Sequence, residues 1–372
     1  MVNKIISILT LCIITFVLGF SGCIEGIEED IENNVEKIQI IDMVGRTVEV
    51  PKNVEKIVCS GPGCLRLICY MDSVDKVIGI ESFESNDYMG RPYRIANPQF
   101  SSLPIIGNGG PRDINVGPDP EKVMTIMPDV IFITYMEAGK ADELQRKTGI
   151  PVVVLTYGTF GTFENEKVFE SFNILGKILE KDKRAVEVSS FIEEVQKDLD
   201  ERTKDIPESE RPSVYVGAIG YQGTQGIDST EGSYPPLEAV NTKNIAKNAS
   251  TAHIFISKEK LIEWNPEYIF IDGGGSFKVK EDYNINPDYY NSLDAFKNGN
   301  VYLLLPFNHY MTNIGTALAD SYYIGKVLYP EEFSDIDPEE KADEIYKFLV
   351  GKEVYNVMKE EYGGFKRVDF LN

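Results

Sequence analysis

Two stretches of the chain repeat one pattern of apolar and polar positions. Residues 121–133 read EKVMTIMPDVIFI and residues 259–271 read EKLIEWNPEYIFI, and they align without a gap. Each copy opens on Glu-Lys and continues as a turn or two of helix to a proline, which ends a helix because it lacks an N–H group. The apolar run that follows is continuous rather than alternating, which is typical of a strand covered on both faces. The sequence therefore predicts the same helix–strand unit in two places.

Further apolar runs extend this unit into two similar halves. In each half a loop or helical stretch and a second buried strand follow the unit, which is the order of a parallel α/β sheet. The predicted strands are residues 56–59, 76–80, 104–107, 130–133, 152–155, 214–217, 268–271 and 301–305. Helices are predicted for residues 317–329 and 338–361, whereas residues 82–103 read as a long loop. The expected fold class is α/β, with two similar lobes whose sheets are mainly parallel.

The segment between the two halves predicts a rigid helical connection. Residues 163–204 contain no proline and a single glycine, and their apolar positions recur at helical spacing. Asp182 is predicted to cap the second of two helices, whose roughly 22 residues would measure about 33 Å at 1.5 Å per residue. The expected organisation is a signal segment, an acidic tether, an N-terminal lobe, a helical connector and a C-terminal lobe, at residues 1–22, 23–37, 38–160, 161–206 and 207–372.

The first residues predict export and attachment to a membrane. Lys4 precedes an uncharged, mostly apolar run that reaches Phe20-Ser21-Gly22-Cys23, and an acidic stretch follows. A basic start, an apolar segment and small residues before a cleavage point form a secretory signal. The position of Cys23 resembles the lipobox of lipoproteins, in which this cysteine is lipidated, although Phe20 stands where leucine is usual. An uncleaved anchor is the alternative, and both interpretations place the protein on the extracytoplasmic face of the membrane.

Composition restricts the partners of the chain. Its 59 acidic and 37 basic residues give a net charge of −22, which repels phosphate backbones, so nucleic acid is not an expected partner. A hydrophobic fraction of 42% and a charged fraction of 26% are those of a globular protein with a core of ordinary size.

Cysteine and histidine are too few to build a transition-metal site. Cys59, Cys64 and Cys69 follow the signal, and an odd number does not suit a disulfide framework. Helical spacing favours burial of Cys64 and Cys69, with a cleft-facing Cys64 as the alternative. His253 and His309 are the only histidines, which excludes a bare-ion site made of several imidazoles. A metal is therefore expected to arrive inside a chelator, and a carboxylate site for a hard cation is the alternative.

The order of these features resembles a known family. A lipoprotein signal, a first strand followed by the run VDKVIG at residues 74–79, and two Glu-Lys units on either side of a long helix are similar to the substrate-binding proteins of ABC importers for iron chelates and cobalamin. The resemblance covers residues 45–330. It implies the class III periplasmic-binding fold, with two lobes, a long rigid helix, a shallow cleft and limited hinge motion. It also implies a monomeric, lipid-anchored receptor that has no catalytic activity and no cofactor and that delivers its ligand to an ABC permease dimer.

The resemblance assigns a docking role to one acid in each lobe. In this family a Glu at the start of the equivalent helix contacts arginines of the permease, and the matching positions are Glu121 and Glu259. A permease dimer presents two like surfaces, so a duplicated protein that docks on it should display an acid at the same place in each lobe. The alternative is that both are ordinary helix-start acids, which the helix dipole favours.

The ligand is expected in the cleft, between loops at the strand ends of both lobes. An anionic metal chelate would be held by arginines at its oxygens and by aromatic rings on its organic shell. An iron siderophore is the first expectation, with haem and cobalamin open, and His309 is a candidate axial ligand to the metal. The arginines have an alternative role as surface charges that balance nearby acids. The candidate ligand-binding residues are Tyr88, Arg91, Arg94, Arg112, Tyr135, Tyr221, Tyr234 and His309.

Two other functions stay open at the level of the sequence. An extracellular enzyme on a two-lobed scaffold is one, although the chain has no G-x-S-x-G motif, no metal-hydrolase cluster and no convincing triad. An envelope or adhesion protein without a small ligand is the other, and only the long Tyr-rich loops would suit it.

Overall fold

The computed structural model describes residues 36–85, 90–158, 163 and 165–368. The signal segment with Cys23 and the candidate ligand residue Tyr88 lie outside the described residues. From Lys37 onward the chain folds as one unit that contains two separate parallel sheets.

The first sheet is built from the apolar runs that the sequence predicts as strands. An antiparallel hairpin of β1 (Lys37–Ile41) and β2 (Thr47–Pro51) precedes it. The strands of the sheet proper are β3 (Ile57–Ser60), β4 (Val77–Glu81), β5 (Ile105–Gly107), β6 (Val130–Thr134) and β7 (Val152–Leu155). They lie in the order β5-β4-β3-β6-β7, and every pair is parallel. The strands β3 and β6 are buried along their whole length, which explains why their sequences are continuous rather than alternating.

Helices connect the strands of the first sheet. They are α1 (Cys64–Tyr70), α2 (Ser82–Ser85), α3 (Pro92–Ala96), α4 (Pro120–Ile126) and α5 (Ala138–Thr148), with single 3₁₀ turns at Val74–Lys76 and Pro98–Ser102. The prediction of an irregular loop over residues 82–103 is therefore wrong. Pro92 and Pro98 each occupy the first position of a short helical turn, where a missing N–H group has no cost.

The helical connector is confirmed. It consists of α6 (Asn165–Leu179) and the 22-residue α7 (Asp182–Thr203), and α7 buries Val188, Ile192 and Leu199. Asp182 is the first residue of α7 rather than its cap, which is Lys181. The side chain of Lys181 makes no capping bond, but its backbone N–H donates to the carbonyl oxygen of Gly176 on α6 at 2.8 Å, which closes the turn between the two helices.

The second sheet also has five strands and is mainly parallel, but its strand order differs from that of the first. Its strands are β8 (Ser213–Gly217), β10 (Lys243–Asn244), β12 (Tyr268–Asp272), β13 (Val301–Leu304) and β14 (Lys366–Arg367). They lie in the order β10-β8-β12-β13-β14, and only β14 is antiparallel to its neighbour. A separate antiparallel pair is formed by β9 (Ser229–Glu231) and β11 (His253–Phe255).

Helices also surround the second sheet. They are α8 (Pro235–Ala239), α9 (Lys258–Trp264), α10 (Ser276–Ile285), α11 (Pro287–Ser292), α12 (Asp294–Asn298), α13 (Ile314–Leu328), α14 (Pro338–Val350) and α15 (Tyr355–Tyr362), with 3₁₀ turns at Glu208–Glu210, Ile245–Asn248 and Gly273–Gly275. The single helix predicted over residues 338–361 is two helices, because Gly351 has a φ of 79° and caps α14.

One apolar core joins the two lobes. A single cluster of buried side chains runs from the first sheet through α7 to α13 and α14. Arg184 on α7 donates to the carbonyl oxygens of Tyr70 in the first lobe and Phe348 on α14, at 2.8 and 2.6 Å. The lobes are therefore fixed to each other by shared packing as well as by the connector, which restricts their relative motion.

The cysteines belong to this core. Cys59, Cys64 and Cys69 are buried free thiols, as the helical spacing predicts, and the alternative of a cleft-facing Cys64 is wrong. No helix in the described ranges is both long enough and apolar enough to cross a bilayer.

Candidate functional site

The carboxyl ends of the two sheets face each other. After β13, residues 306–313 leave the second sheet and contact the ends of strands in the first, and we call them the crossing loop. Its Tyr310 hydroxyl accepts a hydrogen bond from the backbone N–H of Gly110, which follows β5. Its Met311 sulfur lies 3.3 Å from the hydroxyl of Tyr135, which follows β6. The loops at these strand ends therefore line one cleft.

A buried arginine fastens the crossing loop. Arg66 lies in the middle of α1, and its guanidinium donates to the carbonyl oxygens of Thr312, His309 and Tyr310 at 2.8, 3.0 and 3.1 Å. The side chain is fully buried, and its guanidinium carbon lies 4.8 Å from the centre of the Tyr93 ring. Bonds from a charged donor are among the stronger ones in proteins, so this contact sets the distance between the two lobes at this point.

A second buried contact lies beside the first. The Tyr310 hydroxyl donates to Glu81 Oε2 at 2.6 Å, and the other oxygen of Glu81 accepts bonds from the Ser60 hydroxyl and the Gly61 N–H. Burial raises the pKa of Glu81, and it also raises the pKa of Tyr310, with help from the neighbouring carboxylate. Glu81 is the last residue of β4. A charged residue at the end of a buried strand could have indicated a functional position from the sequence alone.

Backbone strain collects around this contact. Tyr135, Tyr310 and Met311 have φ angles of 58°, 51° and 76°, a region that side chains larger than glycine rarely adopt. Such conformations cost of order 1–3 kcal/mol each and concentrate at functional sites. The three strained residues all lie at the contact between the lobes.

Arg91 and Arg94, which are predicted to lie in the ligand site, are found in the protein interior. Both are fully buried beside Glu84, with an Arg91–Glu84 ion pair at 2.9 Å and an Arg94–Glu84 separation of 4.0 Å. The Tyr93 hydroxyl donates to the same carboxylate at 2.8 Å. In this arrangement both arginines are directed at a protein carboxylate, and their complete burial also contradicts the alternative of surface charges.

Two further candidates of the first lobe, and His309 on the crossing loop, lie nearer to solvent. Arg112 is exposed in the loop after β5, two residues beyond Gly110, and makes no hydrogen bond or ion pair to any described residue. Tyr135 is half-buried, with its hydroxyl 3.1 Å from the carbonyl oxygen of Gly158. His309, on the crossing loop, is half-exposed and packs its ring 6.4 Å from that of Phe83.

An aromatic cluster occupies the second lobe at the loop after β8. Tyr221 stacks on His253 with ring centres 4.1 Å apart and planes at 8°, and Phe255 meets His253 edge-on at 4.9 Å. Tyr221 and Phe255 are exposed by 46% and 52%. Sequence analysis identifies Tyr221 but not its partners, because residues 221, 253 and 255 come together only through the β9–β11 pair.

The protonation of His253 follows from its neighbours. The Ser229 hydroxyl donates its only proton to the carbonyl oxygen of Ile219, so it accepts a bond from His253 Nε2 at 2.8 Å. Burial lowers the pKa of His253, which favours the neutral ring. A neutral ring with its proton on Nε2 leaves Nδ1 as an acceptor or metal ligand.

Tyr234 is not at the surface of the cleft. It is fully buried and packs edge-on against Phe307 of the crossing loop, with ring centres 5.3 Å apart. Burial raises its pKa, and the nearby carboxylates of Asp320, Asp272 and Glu231 raise it further. Tyr234 therefore lies beneath the cleft, next to a group of buried acids.

Among the residues that the structure describes, the predicted ligand residues coincide with neither a metal cluster nor the surface cavity beside α4 and α5. No group of three or more His, Cys, Asp or Glu side chains in the described ranges is placed to hold a metal ion. A cavity of about 560 Å³ lies between α4, α5 and the loop after β5, and its lining includes Lys122, Lys140 and Leu144. None of the predicted ligand residues lines it, although Asp113, which follows Arg112, does.

The two predicted docking acids occupy equivalent places. Glu121 is the second residue of α4 and Glu259 the second residue of α9, and both side chains are exposed. Each helix leads into a central strand of its own sheet, β6 or β12.

Comparison with known proteins identifies the family. The sequence profile described as periplasmic binding protein matches residues 57–306. The molybdate-binding protein MolA of Haemophilus influenzae is 22% identical over 326 residues, which are 83% of this chain and 89% of MolA. The iron(3+)-hydroxamate-binding protein FhuD of Bacillus subtilis is 24% identical over 287 residues, which are 72% of this chain and 78% of FhuD.

A solved structure shows the same fold. A periplasmic solute binding protein from Veillonella parvula superposes with a TM-score of 0.70 at 18% identity, over 88% of this chain and 97% of that one. Two lobes with mainly parallel sheets and a connecting helix are thus confirmed as the fold class. Since the family profile matches well over half of the sequence, the chain belongs to the periplasmic binding protein family, whose members bind solutes for ABC transporters rather than catalyse reactions.

Proposed function

We propose that the protein captures a metal chelate in the cleft and delivers it to the permease of an ABC importer. The observation that carries this proposal is the exposed cluster of Tyr221, His253 and Phe255 at the end of β8. Soluble proteins rarely leave adjacent aromatic rings exposed without a use, and flat rings suit the organic shell of a chelate. An iron siderophore is the first candidate ligand, followed by haem and cobalamin.

Charge and metal chemistry support the same class of ligand. The guanidinium of Arg112, which no described residue engages, suits the carboxylate or catecholate oxygens of an anionic chelate. His253 Nδ1 suits an open coordination position on a metal that a chelator already holds. His309, on the crossing loop, is a second imidazole, and its backbone carbonyl oxygen accepts a bond from Arg66.

The membrane side of the proposal rests on the sequence. A lipid on Cys23 would hold the protein at the extracytoplasmic face, with residues 23–37 as the tether. Glu121 and Glu259 would meet basic side chains of the two permease subunits.

An oxyanion is a second candidate ligand, because MolA is a molybdate-binding protein and covers most of the chain. Molybdate is small and highly polar, so it would use Arg112 and backbone N–H groups but not the aromatic cluster. The two candidates therefore make opposite demands on Tyr221.

A thermal-shift panel distinguishes them. Residues 37–372 are tested with a ferric hydroxamate, a ferric catecholate, haem, cobalamin, molybdate and bare ferric ion. A ligand at 100 times its Kd stabilises the fold by about 2.7 kcal/mol, which moves the midpoint visibly. A shift with one chelate that Tyr221→Ala and Arg112→Gln abolish, and that Arg146→Gln leaves intact, is the expected result.

Other outcomes redirect the proposal. A shift with molybdate alone that Tyr221→Ala leaves intact would establish the oxyanion instead. A shift with bare ferric ion alone would contradict the argument that the metal arrives in a chelator. Absence of any shift across the panel would remove the chelate proposal.

A further inference from the structure

The two Glu-Lys units fold into the same local structure, a seven-residue helix with a side-chain cap and a left-handed C-cap residue. In both, the third residue is the core contact, since Val123 and Leu261 are exposed by 0% and 1%. Both helices end in a left-handed residue, Met127 and Asn265, with φ angles of 47° and 38°. The repeat in sequence is therefore a repeat in backbone conformation.

The hydrogen bonds that hold the units are also equivalent. Asp119 and Ser257 cap the two helices by accepting backbone N–H bonds from the first turn. The acid after each proline, Asp129 or Glu267, accepts backbone N–H bonds from the residues that lead into the neighbouring strand, at 2.7–2.8 Å. These bonds orient both helices in the same way on their sheets, so their outer faces are also equivalent.

Each outer face carries an apolar residue that the fold does not need. Met124 and Ile262, three positions after the two acids, are exposed by 41% and 44%. Packing of each helix is already supplied by Val123 and Leu261, and solvent-facing helix positions are normally polar. Met127, at the end of α4, is exposed by 70% in a conformation that Asn or Gly would adopt more readily.

The acids beside these residues remain available. Lys260, next to Glu259, is engaged elsewhere, since its ammonium lies 2.8 Å from Glu263 and 5.5 Å from the Trp264 ring centre. Glu259 is therefore not neutralised by its neighbour in sequence. Each helix thus presents an exposed carboxylate and an exposed apolar side chain about one turn apart.

We propose, on the basis of the proposed function, that Met124 and Ile262 are matched apolar contacts with the permease. The partner is a permease dimer whose two like subunits each offer a basic side chain to the Glu and an apolar recess to the residue three positions later. Basic partner charges complement the acids and the net charge of −22. Because both faces belong to one folded unit, binding at the first raises the effective concentration of the second, so two small contacts suffice.

Site-specific photo-crosslinking in the native host tests this. The full chain carries a benzophenone amino acid at one position at a time, namely 124, 262, the docking positions 121 and 259, or the exposed apolar controls Val186 and Ile285, which are 61% and 77% exposed. Crosslinked partners are identified by mass spectrometry. The expected result is a crosslink from 124 and from 262 to the transmembrane subunit of an ABC importer, at least tenfold above the yield from 186 and 285.

The remaining outcomes separate this inference from the proposed function. Permease crosslinks from 121 and 259, with 124 and 262 at the level of the controls, would overturn the apolar contacts and leave the receptor function standing. A crosslink from only one of 124 and 262 would overturn the matched pair. Permease crosslinks only from 186 or 285 would move the docking surface elsewhere, and no permease crosslink from any position in a chain of normal thermal stability would overturn the receptor function itself.

Discussion

Replacement of Asp272 by asparagine should remove a pH-dependent loss of stability. Asp272 ends β12 in the floor of the cleft, where it is buried and where its Oδ1 accepts the Gly274 N–H at 2.8 Å. Burial raises its pKa to about 7. Asparagine keeps the acceptor for Gly274 and cannot ionise, so Asp272→Asn isolates the charge from the shape.

Two other acids lie near Asp272. Burial, followed by the charge of Asp272, raises the pKa of Glu231 to about 7. Asp320 on α13 is fully buried, and burial raises its pKa although its Oδ1 accepts the Leu305 N–H at 3.1 Å. Tyr234 completes the group. No arginine or lysine of the described residues forms an ion pair with any of these carboxylates, so each is more stable protonated.

The sign and size of the effect follow from linkage. The folded pKa of Asp272 lies above its usual value of 3.8, so the stabilisation from its proton is complete below about pH 4 and is lost as the pH rises to about 7. Between pH 5 and pH 8 this amounts to about two pH units at 1.36 kcal/mol each, or about 2.7 kcal/mol. The Asp272→Asn variant should lose none of this 2.7 kcal/mol as the pH rises. The substitution should also remove one repulsive charge from the neighbourhood of Glu231.

Urea unfolding of residues 37–372 at pH 5 and pH 8 measures this directly. The unsubstituted chain should be less stable at pH 8 than at pH 5, and Asp272→Asn should narrow that difference by about 2–3 kcal/mol. Asp288→Asn, at an exposed position on α11, is the matched control and should leave the difference unchanged. If Asp272→Asn loses stability between pH 5 and pH 8 as steeply as the unsubstituted chain, the assignment of a buried proton to Asp272 is refuted.

Three further substitutions test the contacts around the cleft. Arg66→Lys should lower the free energy of unfolding by roughly 3 kcal/mol or more, because one ammonium cannot replace a guanidinium that spans three buried carbonyl oxygens, and equal urea midpoints would contradict this. Tyr310→Phe should lower the free energy of unfolding by about 1–3 kcal/mol, because the lost hydroxyl donates to Glu81 and accepts from the Gly110 N–H. Calorimetry that shows no loss of stability would contradict this contact. Arg91→Met should destabilise by about 3–5 kcal/mol through the buried Glu84; an unchanged melting temperature with lost binding of the ligand found in the thermal-shift panel would instead support the sequence-based ligand role.

The parts of the fold that the sequence predicts are those that local pattern determines. The strand at residues 152–155 matches β7 at both ends, because a continuous apolar run between turn residues has one favourable arrangement in a covered sheet. The 22-residue α7 is equally local, since its apolar spacing and lack of proline suffice. Gly351 shows where the pattern of polar and apolar residues no longer predicts the structure. The pattern has helical spacing throughout residues 338–361, yet the left-handed conformation of this one glycine ends α14.

The candidate site was harder to predict because its contacts are distant in sequence. From the sequence Arg91 is a candidate ligand residue or a surface charge, and only the fold places Glu84 beside it in the interior. Tyr221 finds His253 only through the β9–β11 pair. One usable signal was overlooked, namely Arg66 as the only charge in the apolar helix CLRLICY, where a charged side chain requires a buried partner.

The way in which the lobes are joined bears on how a loaded receptor differs from an empty one. The core that α7 and α14 share with the first lobe, together with the three carbonyl bonds of Arg66, opposes a large closure of the cleft. A cleft of fixed width is preorganised, so a ligand does not have to offset the ordering of two moving domains. The same rigidity means that the presence of ligand must be conveyed by the groups in contact with it, for which Arg112 and the ring of Tyr221 are the proposed candidates. If the faces of α4 and α9 contact the permease as proposed, the docking geometry should be the same for the empty and the loaded protein.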